Sequence, residues 1–92
     1  MSVRSGRFTF PWVTYDPPSD VLHARLSRSL EASRERSPDG DVWSFDDAGR
    51  PTGVTVIEPR RRLERDGAVY ITLPPGERER LQGVEAEMRP LV

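Results

Sequence analysis

DVWSFDDAGRPTGVTVIE, residues 41–58, is the stretch of sequence that decides the fold, because it has the pattern of a complete β-hairpin. Successive side chains of a strand point to opposite faces, so Trp43 and Phe45 would share one face of a first strand. Val54 and Val56 would share one face of a second strand. The segment between the two strands has turn composition. We therefore expect antiparallel sheet at this point of the chain.

Further alternating segments extend the pattern on both sides of this hairpin. Gly49 is placed to take the positive φ of a tight hairpin loop. Leu22, Ala24 and Leu26 would share the inner face of an earlier strand, whose other face is polar. Pro11 makes the first strand of the chain an edge strand, since proline cannot donate to a ladder. The complete prediction is five strands, over residues 8–15, 21–27, 41–45, 52–58 and 68–73.

The remaining segments do not follow the strand pattern. Residues 60–67 are interpreted as a charged connector, and residues 28–37 suit either a polar strand or an exposed helix. Residues 77–88 have acids in a first helical turn and end before Pro90, so they are predicted to form a helix. Short connections favour antiparallel neighbours. The prediction is one domain over residues 1–92, α+β but mainly β, with an antiparallel meander of about five strands and one C-terminal helix.

Composition limits the partners of the chain. Its 92 residues suffice for one domain with a thin core, and 35% of them are apolar while 32% are charged. The formal net charge is −1, and all 14 basic residues are Arg. A nucleic-acid partner is therefore not expected, because nucleic-acid binding usually requires a basic surplus.

Cysteine usage and hydropathy point to a cytoplasmic protein without cofactors. The chain contains no Cys, which excludes a disulfide, a thiolate zinc site and a thiol nucleophile. Residues 1–7 lack the apolar run of a signal peptide. No stretch approaches the roughly 20 apolar residues of a membrane span, so no membrane partner is expected.

Several short motifs resemble one family of small bacterial proteins. The motifs are YDP at residues 15–17, SDVL at 19–22, RLS at 25–27, FDDAGR at 45–50 and GVTVIE at 53–58. Together they resemble the proteins grouped as domain of unknown function 2283, which open on a Tyr-Asp-Pro turn and carry an aromatic-Asp-x-x-Gly-Arg hairpin.

The resemblance covers residues 13–63, a little over half of the chain. It implies a compact, β-rich, oligomeric fold and no established activity, so no catalytic residue is carried over from it. The chain departs from the family pattern at His23 and Ala24, where the family has a large β-former. It also departs at residues 28–37, which are more basic than the family pattern.

His23 is the only histidine and a candidate acid–base group or metal ligand, with Asp16 as its candidate partner. The spacing of His23 from Asp16 and Asp20 does not bring these side chains to one point on a strand. An exposed or interface histidine is therefore the competing interpretation, and neither catalysis nor a metal is predicted.

Two charged clusters also have a functional and a structural interpretation. The loop aspartates could bind calcium through their carboxylate oxygens, but the terminal bidentate Glu of a calcium loop is missing. The competing interpretation is that these aspartates stabilise turns. The basic run could bind phosphate, but flanking acidic residues reduce its surplus of positive charge. The competing interpretation is a connector whose arginines form salt bridges with these acids. The first cluster is Asp39, Asp41, Asp46 and Asp47, and the second is Arg60, Arg61, Arg62 and Arg65.

Apolar residues supply the last two candidate sites. One interpretation is a ligand pocket lined by Trp12, Trp43 and Tyr70. The other is that these three aromatic residues simply belong to the core. Leu81, Val84 and Met88 form a narrow apolar stripe on the predicted helix, which would cover the chain's own sheet or form an interface. These alternatives stay open in the sequence.

The function that follows from these patterns is a non-enzymatic interaction module, expected to be a homo-oligomer, with another protein as the second kind of partner. The alternative is a small ligand-binding or cyclase-like accessory enzyme of a bacterial pathway, with an aromatic-lined pocket. The biological process is not encoded in any motif.

Overall fold

The hairpin at residues 41–58 lies in the middle of a five-stranded antiparallel sheet in the structure, a computed structural model that describes residues 3–88. Pro90 lies outside the described residues. The strands are β1 (Val3–Ser5), β2 (Phe8–Phe10), β3 (Trp12–Asp16), β4 (Val21–Arg25), β5 (Ser33–Arg36), β6 (Val42–Phe45), β7 (Pro51–Ile57), β8 (Tyr70–Leu73) and β9 (Glu77–Arg80), and the helices are α1 (Pro59–Asp66) and α2 (Val84–Glu87).

The mainly β, α+β class is confirmed, but the strand order is not that of a plain meander. The large sheet has the order β3-β4-β7-β6-β5, so β7 returns beside β4 as in a Greek key. The reason is the connection after β4. It crosses to the far edge of the sheet, and two consecutive hairpins then lead the chain back to the middle.

A second layer covers one face of the large sheet. It consists of the hairpins β1–β2 and β8–β9, joined by reciprocal backbone hydrogen bonds between Arg4 and Gln82. The predicted inner positions of the large sheet face this layer. The buried apolar core is Val3, Phe10, Leu22, Ala24, Trp43, Val54, Val56, Val69, Ile71, Leu73, Leu81, Val84 and Met88.

The predicted first strand, residues 8–15, is divided at Pro11. Its first part is β2 in the second layer, and its second part is β3 at the edge of the large sheet. Proline lacks the N–H of a continuing ladder, so the chain changes sheets at this residue. The prediction of an edge strand is confirmed for β3.

The predicted helix over residues 77–88 is wrong in its first half. Residues 77–80 form β9 and pair with β8, because a tight turn reverses the chain just before them. Gly83 has φ 83°, which is incompatible with a continuing α-helix, so α2 begins only at Val84. Backbone pairing with β8 therefore overrides the helix propensity of this segment.

The predicted connector over residues 60–67 is also wrong, because the segment forms α1. Pro59 occupies the first turn, where its missing N–H costs nothing, and Gly67 ends the helix in a left-handed conformation. Leu63 packs against the core. Because Leu63 is the one large apolar residue of this charged segment, the sequence contains no apolar stripe that would have predicted a helix.

Candidate interaction edges of the five-stranded sheet

Gly53 lies at the middle of the face of the large sheet that the second layer leaves uncovered. A Cβ atom at this position would lie 2.7 Å from the Ala24 carbonyl oxygen, so the close approach of β4 and β7 requires glycine. A hollow of about 530 Å³ lies on this face, and its walls include Gly53, His23, Arg25 and Arg34. This face is polar and open.

His23 and Asp16 both lie on this uncovered face, but they do not form a pair. His23 Nδ1 lies 3.3 Å from Thr55 Oγ1, while Asp16 accepts a hydrogen bond from the Ser19 hydroxyl. Within residues 3–88 neither a hydrogen bond nor an ion pair joins His23 to Asp16. In the same part of the chain, no group of three or more His, Cys, Asp and Glu side chains is arranged to hold a metal ion.

The three candidate pocket aromatics line three separate hollows rather than one. Trp43 is buried, and its Nε1 donates to the Thr72 carbonyl at 3.0 Å. Trp12 lies on the uncovered face at the sheet edge, where 42% of it is exposed. Tyr70 is 40% exposed beneath the Arg78 guanidinium, in a hollow that Arg61 and Arg65 of α1 also line.

The apolar stripe of Leu81, Val84 and Met88 belongs to the chain's own core. Leu81 and Val84 are fully buried, and only 4% of Met88 is exposed. The Leu81 N–H donates to the Val69 carbonyl, which holds the stripe against β8. The structure therefore gives these residues the intramolecular role, and they offer no accessible surface to a partner.

The loop aspartates act as hydrogen-bond acceptors within the chain. Asp46 accepts backbone N–H groups from Ala48 and Arg50, and the bond from Arg50 is the first of the causes that lower its pKa. Asp39 accepts the Thr72 hydroxyl at 2.6 Å. Asp46 therefore has the turn-stabilising role, and Asp39 joins its loop to β8.

The arginines of α1 are likewise occupied by contacts within the chain. The Arg60 guanidinium donates to the Met88 carbonyl and lies 5.6 Å from the centre of the Tyr15 ring. Arg61 pairs with Glu58, and Arg65 pairs with its neighbour Asp66. The run is therefore part of the scaffold.

Asp20 connects α1 to the β3 side of the sheet. Its carboxylate accepts the backbone N–H groups of Arg60 and Arg61 at 3.0 and 3.2 Å, and the Tyr15 hydroxyl at 2.8 Å. Asp20 thereby caps the helix from a distant part of the chain. Glu58, which occupies the N-cap position, makes no side-chain cap bond itself. Desolvation raises the pKa of Asp20, but the hydrogen bonds from Arg60, Tyr15 and Arg61 outweigh it, and the pKa is lowered overall.

Asp41 performs the corresponding role on the β5 side of the sheet. Its buried Oδ1 accepts the Arg62 guanidinium at 2.8 Å and the Ile57 N–H at 3.0 Å. Arg62 also donates to the carbonyls of Ile57 and Tyr70. Burial raises the pKa of Asp41, although the hydrogen bond from Arg62 opposes this effect.

β3 forms one edge of the sheet and presents two residues with free backbone groups. The Leu26 N–H donates to the Thr52 carbonyl at 2.8 Å, so these two residues form a hydrogen-bonded pair between the chain segments of β4 and β7. Hydrogen-bonded pairs recur at every second residue of an antiparallel ladder. The even-numbered residues of β4 therefore bond to β7, and the odd-numbered residues bond to β3. The β3 partners of those odd-numbered residues are even-numbered. The N–H and C=O groups of Val13 and Tyr15 therefore point outward, and no other segment of residues 3–88 bonds to them.

β5 forms the other edge and also presents two residues. The Ser37 N–H donates to the Asp41 carbonyl at 2.7 Å, so the odd-numbered residues of β5 bond to β6. The N–H and C=O groups of Arg34 and Arg36 consequently point outward, and no backbone partner within the described residues reaches them. The two edges thus offer the same number of free backbone groups.

Comparison with known proteins places the chain in no family. No family model, no curated protein and no solved structure matches it. In residues 3–88, the helices are too short and too polar to cross a lipid bilayer.

Sequence reasoning predicted the edge formed by β3 but missed the edge formed by β5. Residues 28–37 were ambiguous, and they contain β5, whose Arg34, Glu35 and Arg36 alternate in charge. Such alternation on a short strand is typical of a protected sheet edge. For β3 the signal was present, because Pro11 and Pro17 bracket the strand.

Proposed function

We propose that this domain is a non-enzymatic interaction module that forms a homodimer by antiparallel pairing of β3 with β3 of a second copy. The observation that carries the proposal is the pair of outward-facing residues, Val13 and Tyr15, on a strand whose side chains are compatible with self-pairing. An exposed strand edge is a template for another strand.

The backbone defines the register of this dimer. Four hydrogen bonds form when Val13 of one copy pairs with Tyr15 of the other, in both directions across the twofold axis. The two Thr14 residues then lie opposite each other on the axis. A shift of the register by two residues would pair Tyr15 with Pro11, which has no N–H to donate.

The side chains agree with this register. Trp12 of one copy would lie opposite Asp16 of the other on the uncovered face, with Thr14 opposite Thr14 between them. On the inner face, Val13 would meet Tyr15, and both already pack against the core. No pair in this register joins two like charges, which would destabilise it.

A five-residue strand contact is small, so the dimer is expected to be weak and concentration-dependent. Interfaces below about 1,200 Å² are typical of transient association. Sedimentation velocity over a concentration series is therefore the appropriate measurement, together with native mass spectrometry of protein purified from its own host. The host sample would also reveal a bound second protein.

The decisive experiment places charges on the twofold axis. Thr14→Lys and Thr14→Glu each put two like charges opposite each other, so each homodimer should weaken by about fivefold or more. An equimolar mixture of the two variants should form a heterodimer at least as tight as the wild-type dimer. Thr14 is exposed, so neither variant should change the unfolding midpoint appreciably.

The control uses an exposed threonine of the second layer. Thr9→Lys and Thr9→Glu on β2 make the same chemical changes away from β3, and both should dimerise as the wild type does. The proposal is contradicted if the wild type remains monomeric at millimolar concentration. Equal effects of the Thr14 and Thr9 variants would also contradict it.

A further inference from the structure

The edge formed by β5 has a charge pattern that opposes pairing with itself. In the register that joins the outward groups of two copies, Arg34 would lie opposite Arg36 twice on the uncovered face. Glu35 would lie opposite Glu35 on the other face. Every charged pair would therefore be repulsive, and like charges directly opposite each other destabilise a sheet.

The same pattern is complementary to an acidic strand. Arg34 and Arg36 project from the uncovered face on alternate positions, so carboxylates two residues apart on a partner strand would lie opposite them. Arg36 has no ion-pair partner within the described part of the chain. Arg34 pairs at 2.8 Å with Glu31 of the preceding loop, so a carboxylate of the chain itself already contacts this guanidinium.

A hollow on the opposite face of β5 would receive the side chain between the two carboxylates. It has a volume of about 250 Å³, and its lining includes Trp43, Phe45, Pro74 and Pro75. Glu35 and Arg36 of β5 also line this hollow, and the turn between β8 and β9 closes its other side, so it lies beside the strand. A leucine-sized side chain fits the volume, and the alternation of a strand directs it there.

We propose that β5 binds an extended segment of another protein with the pattern acid–apolar–acid, which adds to the sheet as an antiparallel sixth strand. Main-chain bonds to Arg34 and Arg36 supply the attachment, and the three alternating side chains supply the specificity. This proposal rests on the domain being an interaction module, but it concerns an edge that the dimer does not use.

The test uses fluorescein-labelled peptides and fluorescence anisotropy. The peptide GSTELETSG should bind saturably, while GSTKLKTSG, with reversed charges, should bind at least about tenfold more weakly. GSTESETSG, which lacks the apolar residue, should bind about fivefold more weakly because less apolar surface is buried. Amide shift changes in the ¹⁵N spectrum should be largest at β5.

Variants of the protein make the test specific. The double variant Arg34→Glu/Arg36→Glu should lose the acidic peptide and gain GSTKLKTSG. The double variant Arg4→Glu/Arg80→Glu changes the net charge equally on exposed positions of the second layer, and it should bind as the wild type does. The monomeric Thr14→Lys variant should also keep its affinity, which separates this test from that of the dimer.

Two outcomes would overturn the proposal. One is the absence of saturable binding of GSTELETSG to the folded protein at peptide concentrations up to about 1 mM, a range that includes weak strand addition. The other is binding that is not specific to β5, shown by equal binding of all three peptides or by shift changes confined to β3. Either result can occur with the dimer intact, in which case only this inference fails.

Discussion

The two edges of the large sheet, β3 and β5, differ in side chains rather than in backbone. Each edge offers two residues with free N–H and C=O groups, and each is the end of the same antiparallel ladder. β3 carries few charges and is bracketed by prolines, whereas β5 alternates Arg and Glu. Under our proposals, the charge pattern of the side chains is what makes one edge suitable for a second copy and the other for a different partner.

The edges also differ in how the rest of the chain holds them. β3 is stabilised by Asp20, which joins Tyr15 to the first turn of α1. β5 depends on the corner at Asp41, whose carbonyl accepts the Ser37 N–H and whose carboxylate pairs with Arg62.

Arg62→Met should have the largest effect, because it leaves the buried Asp41 carboxylate without its cation. Removing one partner of a buried ion pair costs about 3–5 kcal/mol of unfolding free energy. Urea unfolding would measure the loss, and hydrogen exchange at the Ser37 amide should rise more than exchange in β3. Arg61→Met, on the exposed side of the same helix, should change little.

Gly53→Ala should destabilise the strand that links the two edges. The added methyl group would lie 2.7 Å from the Ala24 carbonyl oxygen, so the backbone of β4 or β7 must shift. Overpacking of this kind costs about 1–3 kcal/mol, measured by urea unfolding. Gly76→Ala is the matched control, since a Cβ there meets no atom within 4 Å. An equal loss in both variants would show that the approach of β4 and β7 is not the cause.

Asp20→Ala should loosen the support of β3 and leave that of β5 unchanged. Loss of a helix cap costs about 1 kcal/mol, to which the lost Tyr15 bond adds. Thermal and urea unfolding would measure it, with the exposed Asp47→Ala as control. Hydrogen exchange that rises more at the Ser37 amide than in β3 would contradict the assignment of Asp20 as the support of β3.

Acidification provides a second measurement on Asp20. Its pKa is lower in the folded protein than the ordinary value of 3.8, so its stabilisation is complete above that value. The stabilisation is lost as the pH falls through the folded pKa. Asp20→Asn should therefore have a flatter dependence of unfolding free energy on pH below about 4 than the wild type.

The sequence predicted the parts of the fold that alternation specifies. The predicted hairpin is observed as β6 and β7, and the predicted strand over residues 21–27 as β4. Most of the predicted inner residues are buried, while Leu26 and Phe45 are partly buried. Gly49 takes φ 80°, as expected for its loop. These features are local, because a period of two and one turn are sufficient to define them.

The missed features depend on contacts between distant residues. The cap of α1 comes from Asp20, which lies 40 residues before Arg60, and residues 77–80 become a strand only because β8 lies beside them. The Greek-key order depends on a loop that crosses the sheet. The edge at β5 was missed for the same reason, because an edge is defined by the absence of a neighbouring strand, and β5 has no proline to mark it as Pro11 marks β3.

Added salt should produce the smallest change in affinity, and it should distinguish binding at β5 from dimerisation at β3. Binding of GSTELETSG at β5 should weaken several-fold between about 50 and 500 mM NaCl, since it depends on exposed charges. The β3 dimer should change by less than about twofold. Glu31→Gln should strengthen peptide binding about twofold, because Glu31 competes for Arg34. Equal salt dependence of the two reactions would contradict the comparison.

The most direct measurement uses the absence of native cysteine in the chain. Thr14→Cys and Glu35→Cys each place one thiol on the twofold axis of the self-paired register of its own edge, β3 or β5. Under the same mild oxidant and protein concentration, we predict rapid formation of a disulfide-linked dimer by Thr14→Cys and slow, collision-limited formation by Glu35→Cys. Equal rates, or faster linkage at Glu35→Cys, would contradict the claim that β3 self-associates and β5 does not.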